Sequence, residues 1–160
     1  MTTPSTVVQD HYPEESAHCY GCGRMNPTGL HLRSAWEGDE VVARFSPRPE
    51  HIAIPGFVYG GLLASLVDCH AMATAAASAD RAAGRELGAA PAPRFVTAAL
   101  RVDYLAPTPL GTELVLRGRV AETGRRKMVV RVSVLAGSAE TVRGEVVAVP
   151  MPESMGAKPA

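Results

Sequence analysis

The longest apolar stretch of the chain lies near its middle, between Pro55 and Ala77, and reads PGFVYGGLLASLVDCHAMATAAA. After its paired glycines, nearly every residue is apolar or small, and only Asp68 and His70 carry strongly polar side chains. A helix that is apolar almost all round must be enclosed by other elements of the protein. The pattern therefore predicts one long buried helix that starts near Gly60.

The segments on either side of this helix alternate between apolar and polar residues, as half-buried β-strands do. Two segments before the helix flank the turn EGDE and predict a β-hairpin: LHLRSAW and EVVARFSP. The segments after it predict three or four consecutive antiparallel strands: FVTAALRVDYLAP, TELVLRGRVAETG, KMVVRVSVLAG and TVRGEVVAVPM. Only this sheet is available to enclose the helix, which predicts an α+β protein with the hotdog architecture, a sheet wrapped around one central helix.

The two ends of the chain lack such periodic patterns. We expect residues 1–18 to form a flexible N-terminal arm and residues 151–160 a disordered tail. A single domain then covers residues 19–150 and starts with a turn region rich in Gly, Asn and Pro, CYGCGRMNPTGL. On the strand FVTAALRVDY, strict alternation places Thr97 on the face opposite to Leu100 and Tyr104.

Composition narrows the class of protein. The 160 residues include 16 Lys and Arg and 16 Asp and Glu, so the formal net charge is zero and we expect no nucleic-acid partner. No window approaches the roughly 18 uninterrupted apolar residues of a membrane span. We find no signal-peptide pattern, and three cysteines do not suggest a secreted disulfide scaffold. These observations predict a cytoplasmic protein without a membrane partner.

The paired glycines and the single carboxylate of the predicted helix suggest one chemistry. The first N–H groups of a helix are free and partly positive, and glycine lets another molecule approach them closely. They can stabilise the oxyanion that forms when an acyl carbonyl is attacked, while Asp68 can act as general base or nucleophile. Both features also have a structural interpretation, since glycine pairs serve close packing and a mid-helix Asp can be solvated or lie in an interface.

Gly60 and Asp68 are too far apart on one helix to act on the same carbonyl. Their separation of eight residues corresponds to about 12 Å along the helix axis. If both groups are catalytic, one of them must come from a second copy, with two helices antiparallel across a two-fold axis. This hypothesis predicts a homodimer with two shared sites, which can associate further into a homotetramer.

The segment HIAIPGFVYGGLLASLVDCHAMATA resembles the signature helix of the hotdog-fold acyl-CoA thioesterases, in particular the PaaI-like group. Two other segments, CYGCGRMNPTGLHL and TAALRVDYLAPTPLGTEL, are similar to further stretches of this family, so the resemblance covers roughly residues 19–147. Tyr59 stands where the family usually has a His before its Gly-Gly. The remaining positions of the family pattern are filled by His51, Gly56, Gly60, Gly61 and Asp68.

The resemblance implies a role for each of these positions. Asp68 would be the general base or nucleophile, the Gly60 N–H would polarise the thioester carbonyl, and Thr97 would lie beside the attacking water. Thr97 can also be interpreted as an ordinary β-branched strand residue. The basic run GRRK, residues 124–127, can likewise be interpreted as a solvated turn. The candidate substrate-binding residues are His51, Tyr59 and Gly61 at the helix start and Arg125, Arg126 and Lys127, which would meet the phosphates of coenzyme A.

The implied reaction is hydrolysis of an acyl-CoA to a carboxylic acid and free coenzyme A, without a cofactor or metal. The acyl group would lie between subunits, in a pocket partly lined by Leu63, Val67 and Met72. The alternative is a non-catalytic acyl-CoA-binding or regulatory hotdog protein.

The cysteines and His70 are predicted to be structural. Cys19 and Cys22 form a single Cys-x-x-Cys pair, whereas a structural zinc ion needs four ligands. Because Cys69 and His70 lie in the predicted apolar helix, the sequence favours a packed turn at the Cys pair and no metal site. His70 points away from Asp68 on a helix, which predicts a core or interface histidine.

Overall fold

The computed structural model describes residues 6–156, which form one long α-helix and a six-stranded antiparallel sheet. The helix α1 covers Gly60–Ala82. The strands are β1 (Ser34–Glu37), β2 (Glu40–Phe45), β3 (Phe95–Tyr104), β4 (Leu114–Thr123), β5 (Met128–Ala136) and β6 (Ala139–Pro150). Their order across the sheet is β1-β2-β4-β5-β6-β3, and each neighbouring pair is antiparallel. The predicted hairpin, central helix and later strands are confirmed, and with them the hotdog fold.

The helix α1 packs against all six strands. Two glycines allow this close approach, because a Cβ on Gly118 of β4 would overlap Thr74 and a Cβ on Gly144 of β6 would overlap Val67. By length and hydropathy alone α1 could cross a membrane, but 72% of its most apolar window is buried inside the protein. The helix is therefore the core element around which the sheet curves.

His70 lies inside this core and is completely buried. Its Nε2 donates to the carbonyl oxygen of Val41 at 2.9 Å, and its Nδ1 accepts a hydrogen bond from the Ser34 hydroxyl at 2.9 Å. Gln9 completes the network, since its amide nitrogen donates to the Ser34 hydroxyl and its amide oxygen accepts from the Ser34 N–H. Burial lowers the pKa of His70 to about 4, so the ring is neutral. Of the two predicted roles for His70, the core role is the one observed.

The predicted flexible arm is instead packed against the domain from residue 7 onward. Val7 forms an isolated bridge with Ala35 of β1, a short 3-10 helix covers Val8–His11, and Tyr12 is buried. Too few apolar residues are involved to produce a periodic pattern in the sequence. Residues 1–5 of the predicted arm and residues 157–160 of the predicted tail lie outside the described residues, while 151–156 contain a 3-10 turn at Glu153–Met155.

A β-bulge in β3 corrects the predicted faces of that strand. Thr97 pairs with Ala148 and Ala99 pairs with Val147, which leaves Ala98 as an extra residue. Residues paired across a ladder share a face, and Ala148, the partner of Thr97, is fully buried. Beyond the bulge the alternation is shifted by one residue, so Thr97 and Tyr104 point to the same side. The prediction that they lie on opposite faces is wrong because it assumed an unbroken strand.

Candidate active site

Asp68 and Thr97 meet where α1 crosses β3. The Thr97 hydroxyl donates a hydrogen bond to Asp68 Oδ1. The Asp68 carboxylate is partly buried, and this burial raises its pKa above the ordinary value, with a further rise from the neighbouring Cys19 and an opposing effect of the Thr97 hydrogen bond. Thr97 is exposed, so the pair is open to solvent. The structure thus brings together two of the three predicted catalytic residues.

The third predicted catalytic residue, Gly60, is the first residue of α1, the helix that also carries Asp68. Tyr59 occupies the N-cap position in an extended conformation (φ −62°, ψ 129°) and makes no side-chain capping hydrogen bond. The Tyr59 carbonyl oxygen accepts from the Leu62 and Leu63 N–H groups, so among the described residues the N–H groups of Gly60 and Gly61 are the ones available to an anion or a polarised carbonyl. Asp68 lies eight residues further along, about 12 Å along the helix axis. One chain consequently places Gly60 away from the Asp68–Thr97 pair.

Two tyrosines hold the start of α1. The Tyr104 hydroxyl donates to the Gly60 carbonyl oxygen at 2.7 Å, and the Tyr104 ring packs against the Gly60 Cα. The Tyr59 ring lies over Gly61 so closely that a Cβ on Gly61 would overlap it. Sequence reasoning missed Tyr104 as a site residue, although the signal was present as the aromatic residue seven positions after Thr97 in the family pattern.

His51 shapes the loop that leads into α1. Its Nδ1 accepts a hydrogen bond from the Arg48 N–H at 3.0 Å, and its carbonyl oxygen accepts from the Tyr59 N–H at 2.9 Å. Burial lowers the pKa of His51, and the positive charge of Arg48 acts in the same direction. A cavity of about 430 Å³ brings His51, Tyr59 and Gly61 together at the helix start. These three predicted substrate-binding residues therefore share one cavity.

A second cavity, of about 550 Å³, also lies at the helix start and shares no lining residue with the first. It is bordered by Gly60, Leu63 and Tyr104 and is otherwise mostly apolar. Of the predicted acyl-pocket residues, only Leu63 borders this cavity. Val67 and Met72 are buried in the core of the single chain, where Val67 packs on Gly144, so their prediction as pocket-lining residues is wrong.

The basic residues Arg125, Arg126 and Lys127 form the turn between β4 and β5, and all three are exposed. Within residues 6–156 none of them takes part in an ion pair. The next residue, Met128, pairs with Ala148, which in turn pairs with Thr97. Strands in a sheet are about 4.8 Å apart, so the turn lies roughly 10 Å across the sheet from Thr97. The three positively charged side chains therefore lie in the part of the structure that holds Thr97 and Asp68.

The structure brings the three cysteines together, a contact that the sequence analysis did not predict. Cys69 of α1 faces the turn that carries Cys19 and Cys22, and the three sulfur atoms lie within 4.8 Å of one another. The sequence placed Cys69 in an apolar helix and gave no reason to expect contact with a turn about 50 residues earlier. The signal was limited to the glycine between the two cysteines, which allows this approach.

Comparison with known proteins places this geometry in a family. Residues 55–143, more than half of the chain, match the model of the thioesterase superfamily. The chain belongs to the thioesterase superfamily. A thioesterase superfamily protein from Shewanella loihica, whose structure has been solved, is 47% identical in sequence to this chain. The match covers 86% of this chain and 96% of the Shewanella chain, and the two structures superpose with a TM-score of 0.66.

More distant structures share the fold of this superfamily member. The Escherichia coli PaaI protein of the phenylacetic acid degradation operon is 14% identical, with 77% of this chain and 81% of that chain covered and a TM-score of 0.62. A Streptococcus mutans protein crystallised with acetyl-CoA is 20% identical, with 75% and 88% covered and a TM-score of 0.58. Among curated proteins, none matches the sequence. The predicted relationship to hotdog-fold thioesterases is confirmed.

Proposed function

We propose that this thioesterase superfamily member is an acyl-CoA thioesterase, which hydrolyses its substrate to a carboxylic acid and free coenzyme A. The contact between Asp68 and Thr97 is the observation that carries the proposal. It presents a carboxylate that is partly desolvated, fixed by one hydroxyl group and open to solvent on the helix that the family model matches. A structural Asp on a core helix would instead have its oxygens covered by partners.

In the proposed reaction Asp68 acts as general base toward water, or as the nucleophile. Thr97 occupies Oδ1 of Asp68, so Oδ2 is the oxygen that takes the proton from the attacking water. The water oxygen bonds to the thioester carbon, and the carbonyl oxygen becomes an oxyanion held by the Gly60 N–H. The oxyanion then collapses, the carbon–sulfur bond breaks, and the departing thiolate of coenzyme A receives the proton that Asp68 took from the water, which restores the Asp68 carboxylate.

The same mechanism requires Gly60 from a second copy of the chain, so we propose a homodimer with two shared sites. Exposed apolar residues support it. β3 is an edge strand of the sheet, where its free N–H and C=O groups can pair with another chain. Leu100 and Tyr104 on β3 are 42% and 54% exposed, and Ile54 beside the helix start is 71% exposed. A two-fold axis near this edge brings each Asp68 toward the partner's helix start.

Coenzyme A is the proposed carrier of the acyl group. The exposed cations of Arg125, Arg126 and Lys127 are suited to bind its phosphates. A related hotdog protein has been crystallised with acetyl-CoA, which supports the same ligand class here. The apolar cavity of about 550 Å³ beside Gly60 is the proposed site of the acyl chain.

The proposal is tested by measuring thiol release from a panel of short, medium, long and aromatic acyl-CoAs. Asp68→Asn keeps the size of the side chain but cannot accept the proton, and we expect it to reduce turnover by about a hundredfold or more. Asp39→Asn, in the exposed turn between β1 and β2, is the matched control and is expected to behave as wild type. Equal activity of Asp68→Asn and wild type would remove Asp68 from the mechanism. Tight acyl-CoA binding without any turnover by wild type would indicate the non-catalytic binding protein instead.

A further inference from the structure

The three cysteines converge on one point although they come from two separate elements. Cys19 and Cys22 lie in the turn region before β1, and Cys69 lies in α1. All three are free thiols whose sulfur atoms lie within 4.8 Å of one another, and the sulfurs of Cys19 and Cys69 are 3.6 Å apart. Thiolates that bind one metal ion at about 2.3 Å lie roughly 4 Å from each other. The observed spacing is that of a coordination sphere.

The backbone holds the sulfurs in this arrangement. Gly21 lies directly against Cys69, so a Cβ at this position would overlap the Cys69 sulfur. The Gly23 N–H donates to the Cys19 carbonyl oxygen at 2.7 Å and closes the turn between the two cysteines. The Leu32 N–H donates to the Gly21 carbonyl oxygen at 3.0 Å and ties the turn to the chain leading into β1. The thiols are therefore positioned by local structure as well as by side-chain packing.

Arg94 provides a separate electrostatic observation. Its guanidinium packs over the Tyr12 ring at 4.2 Å, and its Nε and Nη1 are buried without a hydrogen-bond acceptor among the described residues. A buried cation needs nearby negative charge. Three thiolates around a divalent cation carry one net negative charge, which is of the sign that the buried Arg94 guanidinium requires.

We propose that Cys19, Cys22 and Cys69 form a binding site for a thiophilic d¹⁰ metal ion, with Zn²⁺ as the ion to be tested. Sulfur ligands select such ions over Mg²⁺ or Ca²⁺, which require oxygen. Cys22 and Cys69 are 4% and 7% exposed, whereas Cys19 is more accessible, so the ion enters from the Cys19 side and keeps one position for water. Binding releases the thiol protons to solvent and involves no change of oxidation state.

The site ties the N-terminal turn to α1 at the residue next to Asp68. The three thiolates and one water supply the four ligands that zinc needs, and the bound ion fixes the turn of α1 that carries Asp68. This inference does not depend on the proposed thioesterase activity, and it concerns residues that the proposed reaction leaves unused.

The test uses the full chain, reduced and freed of metal with a chelator that is then removed. Zn²⁺ is titrated in competition with a chromophoric chelator, and Mg²⁺ is titrated in parallel. We expect one Zn²⁺ per chain with a Kd below about 1 μM, a higher Tm with Zn²⁺ but not with Mg²⁺, and a thiolate-to-metal charge-transfer band with Co²⁺.

Two variants each remove one proposed ligand, and a third is the control. Cys22→Ser removes a buried ligand, and Cys19→Ser removes the half-buried, more accessible one. Each is expected to weaken Zn²⁺ binding by at least about tenfold and to reduce the charge-transfer band, since one soft ligand is lost. His18→Ala, next to the cluster but exposed, is the matched control and should bind as wild type. Absence of saturable Zn²⁺ binding by the reduced protein, or unchanged binding by a folded Cys19→Ser variant, overturns the proposal.

Discussion

Asp68 and His70 are two residues apart on α1, yet they lie in opposite kinds of surroundings. His70 is completely buried, and both of its ring nitrogens are hydrogen-bonded within a network that extends to Gln9. Asp68 is only partly buried, and within residues 6–156 its one side-chain hydrogen-bond partner is Thr97. One side of the helix therefore carries a polar group that is fully satisfied, and the other carries a polar group with capacity left for a substrate or water.

This difference shows how one core helix can serve stability and chemistry together. A buried polar group with all of its partners in place adds specificity to the core and is costly to disturb. A partly desolvated carboxylate with a free oxygen is poorly stabilised by its own chain and is available for reaction. Changes on the Asp68 side should therefore affect turnover, whereas changes on the His70 side should affect unfolding.

The largest effect is expected from separating the two halves of the proposed site. Gly60→Pro removes the oxyanion N–H, and proline suits the first position of a helix after the extended Tyr59. We expect kcat to fall by about 10²–10³, as for other lost oxyanion donors. Asp68→Asn should be similarly impaired, but mixing the two inactive variants should restore activity, because a mixed dimer contains one intact site. Both are measured by thiol release.

The control for this experiment is wild type mixed with the Asp68→Asn, Gly60→Pro double variant. A mixed dimer of that kind has no intact site if the two groups come from different subunits. Should this mixture keep one active site per mixed dimer while the two single variants fail to complement each other, the groups belong to one chain and the shared site is wrong.

On the His70 side, we expect a pH-dependent loss of stability. The pKa of His70 is about 4 in the folded protein against about 6.5 in the unfolded chain, so the unfolded chain binds the proton more readily. Stability is therefore complete above pH 6.5 and is lost as the pH falls toward 4, with about 2 kcal/mol lost between pH 7 and 5. Urea unfolding of metal-free protein measures this change.

His70→Leu serves as the comparison for that measurement. It should lower the free energy of unfolding by about 2–4 kcal/mol at pH 7, since Ser34 and the Val41 carbonyl lose a buried partner. It should also flatten the profile between pH 7 and 5. The same pH dependence in wild type and variant would show that His70 is not the titrating group.

A smaller effect is expected at Thr97, which connects β3 to Asp68. Thr97→Val keeps the shape of the side chain but removes the hydrogen bond to Asp68, and we expect kcat to decrease by roughly tenfold, the cost of one hydrogen bond to a charged group. Thr97→Ser keeps the hydroxyl and should retain most of the activity. If Thr97→Ser is as impaired as Thr97→Val, packing of the methyl group matters and the hydroxyl does not.

The smallest effect is expected at Tyr104. Tyr104→Phe removes the hydrogen bond to the Gly60 carbonyl oxygen while keeping the ring against Gly60, which should cost about 1 kcal/mol in the free energy of unfolding. Because this bond anchors the helix start, we also expect kcat to fall a few-fold with KM nearly unchanged. A change in KM alone would instead assign Tyr104 to substrate binding.

The elements and their order could be predicted from the sequence because each has a clear hydrophobic pattern. The apolar run from Gly60 identified α1, and the alternating segments identified the hairpin and the later strands. Asp68 was recognisable as a candidate site residue because burying a carboxylate in such a helix is costly.

The remaining features depend on contacts that no local pattern encodes. The approach of Cys69 to Cys19 depends on how α1 packs against the turn. In the local sequence, Gly21 alone indicates this contact, because it leaves room for the Cys69 sulfur. The packing of Val8 and Tyr12 depends on a surface that exists only once the sheet has formed. These are tertiary effects, and periodicity within one segment cannot report them.

The extra residue in β3 means that this strand is constrained in length more than in composition. Thr97 and Tyr104 are separated by seven positions, an odd number, yet both must reach α1, and only the additional residue at Ala98 makes that geometry consistent. Exchanging Ala98 for another small side chain would leave the register of the strand unchanged. Deleting it would shift the register by one residue and turn either the residue at 97 or the residue at 104 outward. Among descendants of this sequence, β3 should therefore accumulate substitutions more readily than insertions or deletions.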